Sequence, residues 1–185
     1  SLNLNTEQKR LLDKTYKGFV RGGALLDKAQ KQRLSEINLQ LAKLQLQFTQ
    51  NLMHDTNQSY VTVDNISDLE GLSEGDIQKA AALAERTGAK GKYRFNMQRP
   101  SCNPVLQYAK NRELRRQVYE MYNNRCNHND QYDNKAISAQ IVALRLEEAK
   151  LMGYNTFADM QLETRMAKKP ENVYNLLDQI WKPAV

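Results

Sequence analysis

Between residues 28 and 54, Leu34, Ile37, Leu41, Leu44, Phe48 and Leu52 recur at steps of three or four. That spacing places all six on one side of an α-helix. At the usual rise such a helix is about 40 Å long. Asp27 and Gln30 supply a capping box at its start. A helix of this length with one apolar stripe needs a partner of similar length. An antiparallel pairing inside a multi-helical array is therefore expected, although two heptads do not define a coiled coil.

The rest of the chain is punctuated in the same style. Thr6 reads as the N-cap of a first helix carrying Leu11, Leu12, Tyr16 and Phe19, which Gly22 and Gly23 end. His54 is expected at the C-terminal end of the long helix, where a cationic imidazole suits the dipole. Ser73 with Asp76 opens a helix through Ala80, Ala81 and Ala84, closed by Gly88. Asn103 and Pro104 read as one helix start, and Asn111 as the cap of another that aligns Leu114, Val118, Met121 and Tyr122. After a polar loop at 123–133, Asn134 is expected to cap a helix bearing Ile137, Ile141, Leu144 and Leu151. Asn155 or Thr156 starts a short helix, and Pro170 opens the last, which Pro183 breaks or kinks.

Two segments break the helical rhythm. Residues 59–64 (SYVTVD) are rich in β-branched side chains, and in 92–97 Tyr93, Phe95 and Met97 alternate with Lys92, Arg94 and Asn96. A lone strand is unstable, so the two are expected to pair, in an orientation the sequence leaves open. The fold class is thus mainly α, a multi-helical array with long antiparallel helices and a small two-stranded sheet. The domain reading is one helical segment over 1–185, with a strand–helix–strand insertion at 59–97.

The chain has 185 residues, with 27 Lys and Arg against 21 acids, a net charge of +6. The charges are spread over helical faces, which suits one basic piece of a larger protein better than a nucleic-acid patch. On the 92–97 strand the aromatics and cations fall on opposite faces, whereas a single-strand binding platform needs them together. Neither nucleic acid nor a membrane is expected as a partner. No apolar run approaches the roughly 18 residues that span a bilayer, and the first ten residues carry no signal-peptide core. The two cysteines, Cys102 and Cys126, lack metal-pair spacing.

No catalytic, cofactor-binding or metal residue emerges. His54 and His128 do not form a His-Glu-x-x-His pair. His128 lies near Cys126 and Asp130, in a loop whose Asn and Asp content suits turns better than a metal. Ser101 and Cys102 have no neighbouring histidine, and the adjacent Glu147 and Glu148 cannot face one another on a helix.

Five runs together carry a family resemblance: 16–24 (YKGFVRGGA), 41–52 (LAKLQLQFTQNL), 91–104 (GKYRFNMQRPSCNP), 111–122 (NRELRRQVYEMY) and 149–174 (AKLMGYNTFADMQLETRMAKKPENVY). In order and spacing they resemble the thimet oligopeptidase family of zinc metallopeptidases, closest to its peptidyl-dipeptidase (dipeptidyl carboxypeptidase) branch. Met166-Ala167-Lys168 followed by Pro170 is the most family-like short run. The resemblance implies an almost wholly helical enzyme whose two halves enclose a channel for short unfolded peptides. It implies a zinc held by a His-Glu-x-x-His helix and a downstream Glu, and a branch that releases C-terminal dipeptides. This chain lacks that zinc helix, so no catalytic or metal residue is carried over. It reads as a non-catalytic segment upstream of the catalytic part, inactive alone and partnered by the missing catalytic half. The alternatives are an endopeptidase of the same family or a stand-alone helical interaction module. The location expected is cytoplasmic, with the periplasm as the alternative. Around Trp181 an apolar face lacks a following partner, which suggests a cut through a larger protein and self-association in isolation.

Overall fold

A computed structural model describes residues 3–185; Ser1 and Leu2 of the polar N-terminal run lie outside the described residues. Eight α-helices are present among them: α1 (Thr6–Arg21), α2 (Lys28–Gln58), α3 (Glu74–Arg86), α4 (Arg99–Tyr108), α5 (Arg112–Asn123), α6 (Lys135–Leu151), α7 (Phe157–Leu162) and α8 (Pro170–Ala184). Two short strands, β1 (Tyr60–Val63) and β2 (Tyr93–Asn96), complete the set with a 3-10 turn at Ile66–Leu69. The fold is mainly α with one two-stranded sheet, as the periodicities predict. The chain divides into two compact units, one of residues 1–45 with 139–185, the other of residues 46–138.

The 46–138 unit holds the larger core. β1 and β2 pair antiparallel, with Val61 opposite Phe95 and Val63 opposite Tyr93. Val61, Val63 and Phe95 turn inward onto Leu69, Ala80, Cys102, Val105, Ala109, Leu114 and Val118. The alternation therefore sorted the strand correctly, apolar residues to the core and cations to the other face. Arg94 on that other face is fully engaged: it donates to Thr62 Oγ1 at 3.1 Å and to the Thr87 carbonyl at 2.6 Å. Thr87 is the C-cap of α3, so a strand cation satisfies a helix-end carbonyl that would otherwise lack a partner. Ser73 caps α3 through the Asp76 amide, and Asn111 caps α5 through the Glu113 and Leu114 amides.

Within the other unit, Leu34, Ile37 and Leu41 of α2 and Ile141 and Ala149 of α6 are buried. Arg33 grips Glu147 with two hydrogen bonds, at 2.6 and 2.9 Å, and also donates to Glu36. Those bonds hold the Glu147 carboxyl below its usual range and push the guanidinium up. Arg21, at the end of α1, donates to the Met160 carbonyl on α7 and pairs with Glu163 at 3.6 Å. The capping box expected at Asp27 and Gln30 is formed in both directions.

Several boundaries differ from the sequence reading. Asn5 rather than Thr6 caps α1, because its side chain and that of Gln8 bond reciprocally. α2 runs four residues past His54, to Gln58. α4 begins at Arg99, with Pro100 in its first turn and Pro104 inside it. Two prolines compete for a start there, each suited to a first turn where a missing N–H costs no helical bond, and the helix takes the earlier start, which buries Cys102 and Val105. Pro104 costs only the bond to the Pro100 carbonyl. The amide of Lys135 at the start of α6 bonds to Asp133 Oδ1, leaving the Asn134 side chain free to work elsewhere. Pro183 does not interrupt α8, which continues to Ala184.

Gly71 gives a sharp test of the larger core. Its φ is +98°, and a Cβ there would lie 2.1 Å from the Tyr108 carbonyl oxygen. Backbone strain and a clash with backbone act together, so Gly71→Ala should destabilise the unit by more than about 2 kcal/mol. Urea denaturation followed by circular dichroism would measure it.

Candidate functional site

Among the described residues, the buried side chain with the most hydrogen-bond partners is Asp55, near the end of α2 in the 46–138 unit. The residue is 7% exposed. Its Oδ1 accepts from Ser59 Oγ at 2.7 Å, and its Oδ2 from the Cys126 amide at 2.6 Å. His128 Nε2 stands 3.1 Å from the same Oδ2. Beside it, Asn51 donates to Asn134 Oδ1 at 2.9 Å, and Asn134 donates to the Phe48 carbonyl at 3.1 Å. Two helical positions thus fasten the polar loop that precedes α6. Burial pushes the Asp55 carboxyl up, but the bonds from Cys126, Ser59 and His128 outweigh it, and the net shift is downward.

The cluster has the residue types of a nucleophilic triad but not the order. In a working triad the imidazole sits between acid and hydroxyl and takes the hydroxyl proton. Here the carboxylate sits in the middle, with Ser59 donating directly to it, so no base is poised on Ser59. Cys126 is buried, and burial first, then the Asp55 charge, raises its thiol pKa. A thiol held protonated is a poor nucleophile. The arrangement orders a loop.

The other residues singled out in the sequence are scattered. His54 stacks on Tyr132 at 3.6 Å between ring centroids, one turn before the end of α2. Asp130 accepts from the Tyr132 amide at 2.8 Å. Ser101 accepts the Asn96 amide and so joins β2 to α4, while Cys102 is fully buried, with its thiol pKa raised by that burial. Lys92 pairs with Asp64 at 2.8 Å and Lys90 with Glu85 at 3.7 Å. Glu147 is held by Arg33, and half-buried Glu148 is pushed up by burial. A cleft of about 140 Å³ lined by Lys79, Leu83, Arg86, Phe95, Gln98 and Ser101 is smaller than the usual ligand pocket.

The donor set does not fit zinc. Among the described residues no group of three His, Cys, Asp or Glu side chains is placed to share a metal. Of the imidazoles, one is stacked and the other faces a carboxylate already occupied by two donors. No described helix is long and apolar enough to cross a membrane. What remains is apolar surface: on α8 Tyr174, Leu177, Ile180 and Trp181 share a face and all are more than half exposed.

Asp55, Asn51 and Asn134 escaped the sequence reading. The signal was there, because Asn51 and Asp55 continue the stripe of Leu41, Leu44 and Phe48 at steps of three and four. A polar residue on an apolar stripe is a buried polar group in need of partners.

Sequence comparison gives this helical chain a family. Residues 105–185 match the profile of Peptidase family M3. Oligopeptidase A of Haemophilus influenzae (strain ATCC 51907 / DSM 11121 / KW20 / Rd) is 35% identical over 177 residues, covering 94% of this chain and 26% of that protein. Oligopeptidase A of Escherichia coli (strain K12) is 32% identical over 98% of the chain and 27% of its own length. The E. coli dipeptidyl carboxypeptidase is 31% identical over 97% of the chain and 26% of its own length. The chain belongs to peptidase family M3, the thimet oligopeptidase family of metallopeptidases. It spans about a quarter of the length of the curated relatives it matches.

Asp55 makes the 46–138 unit acid-sensitive. Its folded pKa lies below the ordinary value, so its contribution is present above the unfolded carboxyl's pKa of about 4 and is lost as pH falls through the folded value. Asp55→Ala should cost about 2 to 3 kcal/mol at neutral pH by orphaning three donors. It should also flatten the stability profile below about pH 4. Urea melts of both proteins from pH 7 to 2.5 would show it; parallel profiles would refute the assignment.

Proposed function

We propose that this chain is a helical, non-catalytic segment of a zinc-dependent M3 peptidase acting on short unfolded peptides, where it forms channel wall and support. The observation that carries the reading is one of extent: relatives match nearly the whole chain yet only about a quarter of themselves, and the matched part holds no metal-ligand set. The sequence resemblance favours release of C-terminal dipeptides. A second reading, internal cleavage by an oligopeptidase, is favoured by the higher identity to oligopeptidase A, 35% against 31%. The cytoplasm is the proposed compartment, with the periplasm as the alternative to be separated by fractionation.

On this reading the 185-residue chain alone hydrolyses nothing and holds no stoichiometric zinc. Metal analysis and incubation with a blocked tripeptide test that, and zinc-dependent turnover by the isolated chain would overturn it. The continuous reading frame should also encode a downstream His-Glu-x-x-His. Mass spectrometry of products from the full-length enzyme then separates the modes, since stepwise loss of dipeptides marks one and internal cuts the other.

The exposed face of α8 is the proposed seat of the remaining protein. In isolation that face should drive self-association, because large apolar patches seldom stay uncovered. Light scattering should show a mass that rises with concentration, and Trp181→Glu should lower it toward the monomer. A strictly monomeric wild type would count against an interface on this helix.

A further inference from the structure

α1 is seated back to front on its unit. Leu12, Tyr16 and Phe19 recur at steps of four and three, with Leu11 beside them, and form one apolar stripe. All four are more than half exposed. Lys17, Val20 and Arg21 are the residues of α1 that are partly covered. They lie on the side turned away from the stripe, and Arg21 fastens that side to α7 through the Met160 carbonyl and Glu163. A helix on a folded core ordinarily turns its apolar stripe inward.

The same unit holds a second helix of this kind. On α8, Tyr174, Leu177, Ile180 and Trp181 share an exposed face, and neither helix contains a buried residue. α1 has 16 residues and α8 has 15, so the two stripes match in length at about 23 Å. Because all eight side chains are more than half exposed, the stripes do not cover one another within one chain.

Charge separates the two helices. α1 carries five cations against two acids, and α8 two acids against one cation. Among the described residues Lys9, Arg10 and Lys14 of α1, and Glu171 and Asp178 of α8, enter no ion pair. Two copies of α1 laid together would oppose like charges, as would two copies of α8, whereas α1 on α8 opposes unlike ones. Equal length, an apolar stripe and opposite charge thus coincide in one pairing.

We propose that the α1 stripe of one copy docks on the α8 stripe of another, a head-to-tail contact between copies of this chain. The inference rests on the reading of α8 as an interface and supplies the surface it meets. Such a contact is not self-complementary. It leaves a free α1 at one end and a free α8 at the other, so it propagates unless a ring closes. Wild-type protein should therefore grow past the dimer as its concentration rises.

The test combines two variants of the 185-residue chain. Phe19→Glu spoils the α1 stripe and keeps that of α8; Trp181→Glu does the reverse. Both positions are exposed, so both proteins should keep the wild-type circular dichroism, and Leu12→Glu takes the place of Phe19→Glu should the latter lose it. In analytical ultracentrifugation each variant alone should associate about tenfold or more weakly than wild type, the usual loss when an aromatic anchor is removed. An equimolar mixture should form a one-to-one dimer that grows no further, since each partner supplies the face the other lacks. Undiminished self-association of Phe19→Glu would overturn the proposal while leaving α8 as an interface that pairs with itself. A mixture that stays monomeric would overturn it too, because two intact faces would have met without binding. A strictly monomeric wild type would remove both readings.

Discussion

A buried carboxylate is tolerable only if its lone pairs are used, and the way Asp55 uses them orders much of the unit around it. Its two oxygens collect a hydroxyl from the next turn of chain, a backbone amide 71 residues on and an imidazole 73 residues on. The loop so captured contains Cys126 and Asn129 in the left-handed region, at φ 52° and 57°. Non-glycine residues hold that conformation only where surrounding contacts compensate. Asn134 closes the loop by donating its amide to the Cys126 carbonyl, and its side chain links the loop end to Asn51 and Phe48. Polar groups here do what apolar packing does in the sheet region, with more directional demand.

The sheet region follows a different economy. Four residues per strand would be marginal alone. They persist because Val61, Val63 and Phe95 lie on a floor formed by α4 and α5, and because Arg94 joins the sheet to the end of α3. The basic strand is therefore internal carpentry, its central cation consumed by Thr62, Thr87 and the Tyr60 ring. Surface charge in this family member is mostly spent on its own helices.

Features encoded within three or four residues were legible in the sequence. The Asp27–Gln30 box, the Ser73 and Asn111 caps and the alternation of Tyr93 to Met97 are all of this kind, and all depend on local geometry alone. What was illegible involved partners far along the chain. Nothing near Asp55 announces Cys126, and nothing near Asn134 announces Asn51, so Asp55 drew no reading and Asn134 looked like a helix cap. The start of α4 was misread for a local reason, since both Pro100 and Pro104 satisfy the same rule and only the packing of Cys102 and Val105, both fully buried, selects the longer helix. The metallopeptidase family was legible only because several weak runs recur in one order; none of them alone carries chemistry.

α1 and α8 contain no buried residue. A helix of 15 or 16 residues is marginal in water without tertiary support, whatever its caps. Amide protons should therefore exchange with solvent fastest along these two helices and slowest around Val105 and Val118, which are wholly enclosed. A protease added to the free chain would find its first cleavage sites in the same two helices, leaving the sheet and its floor intact.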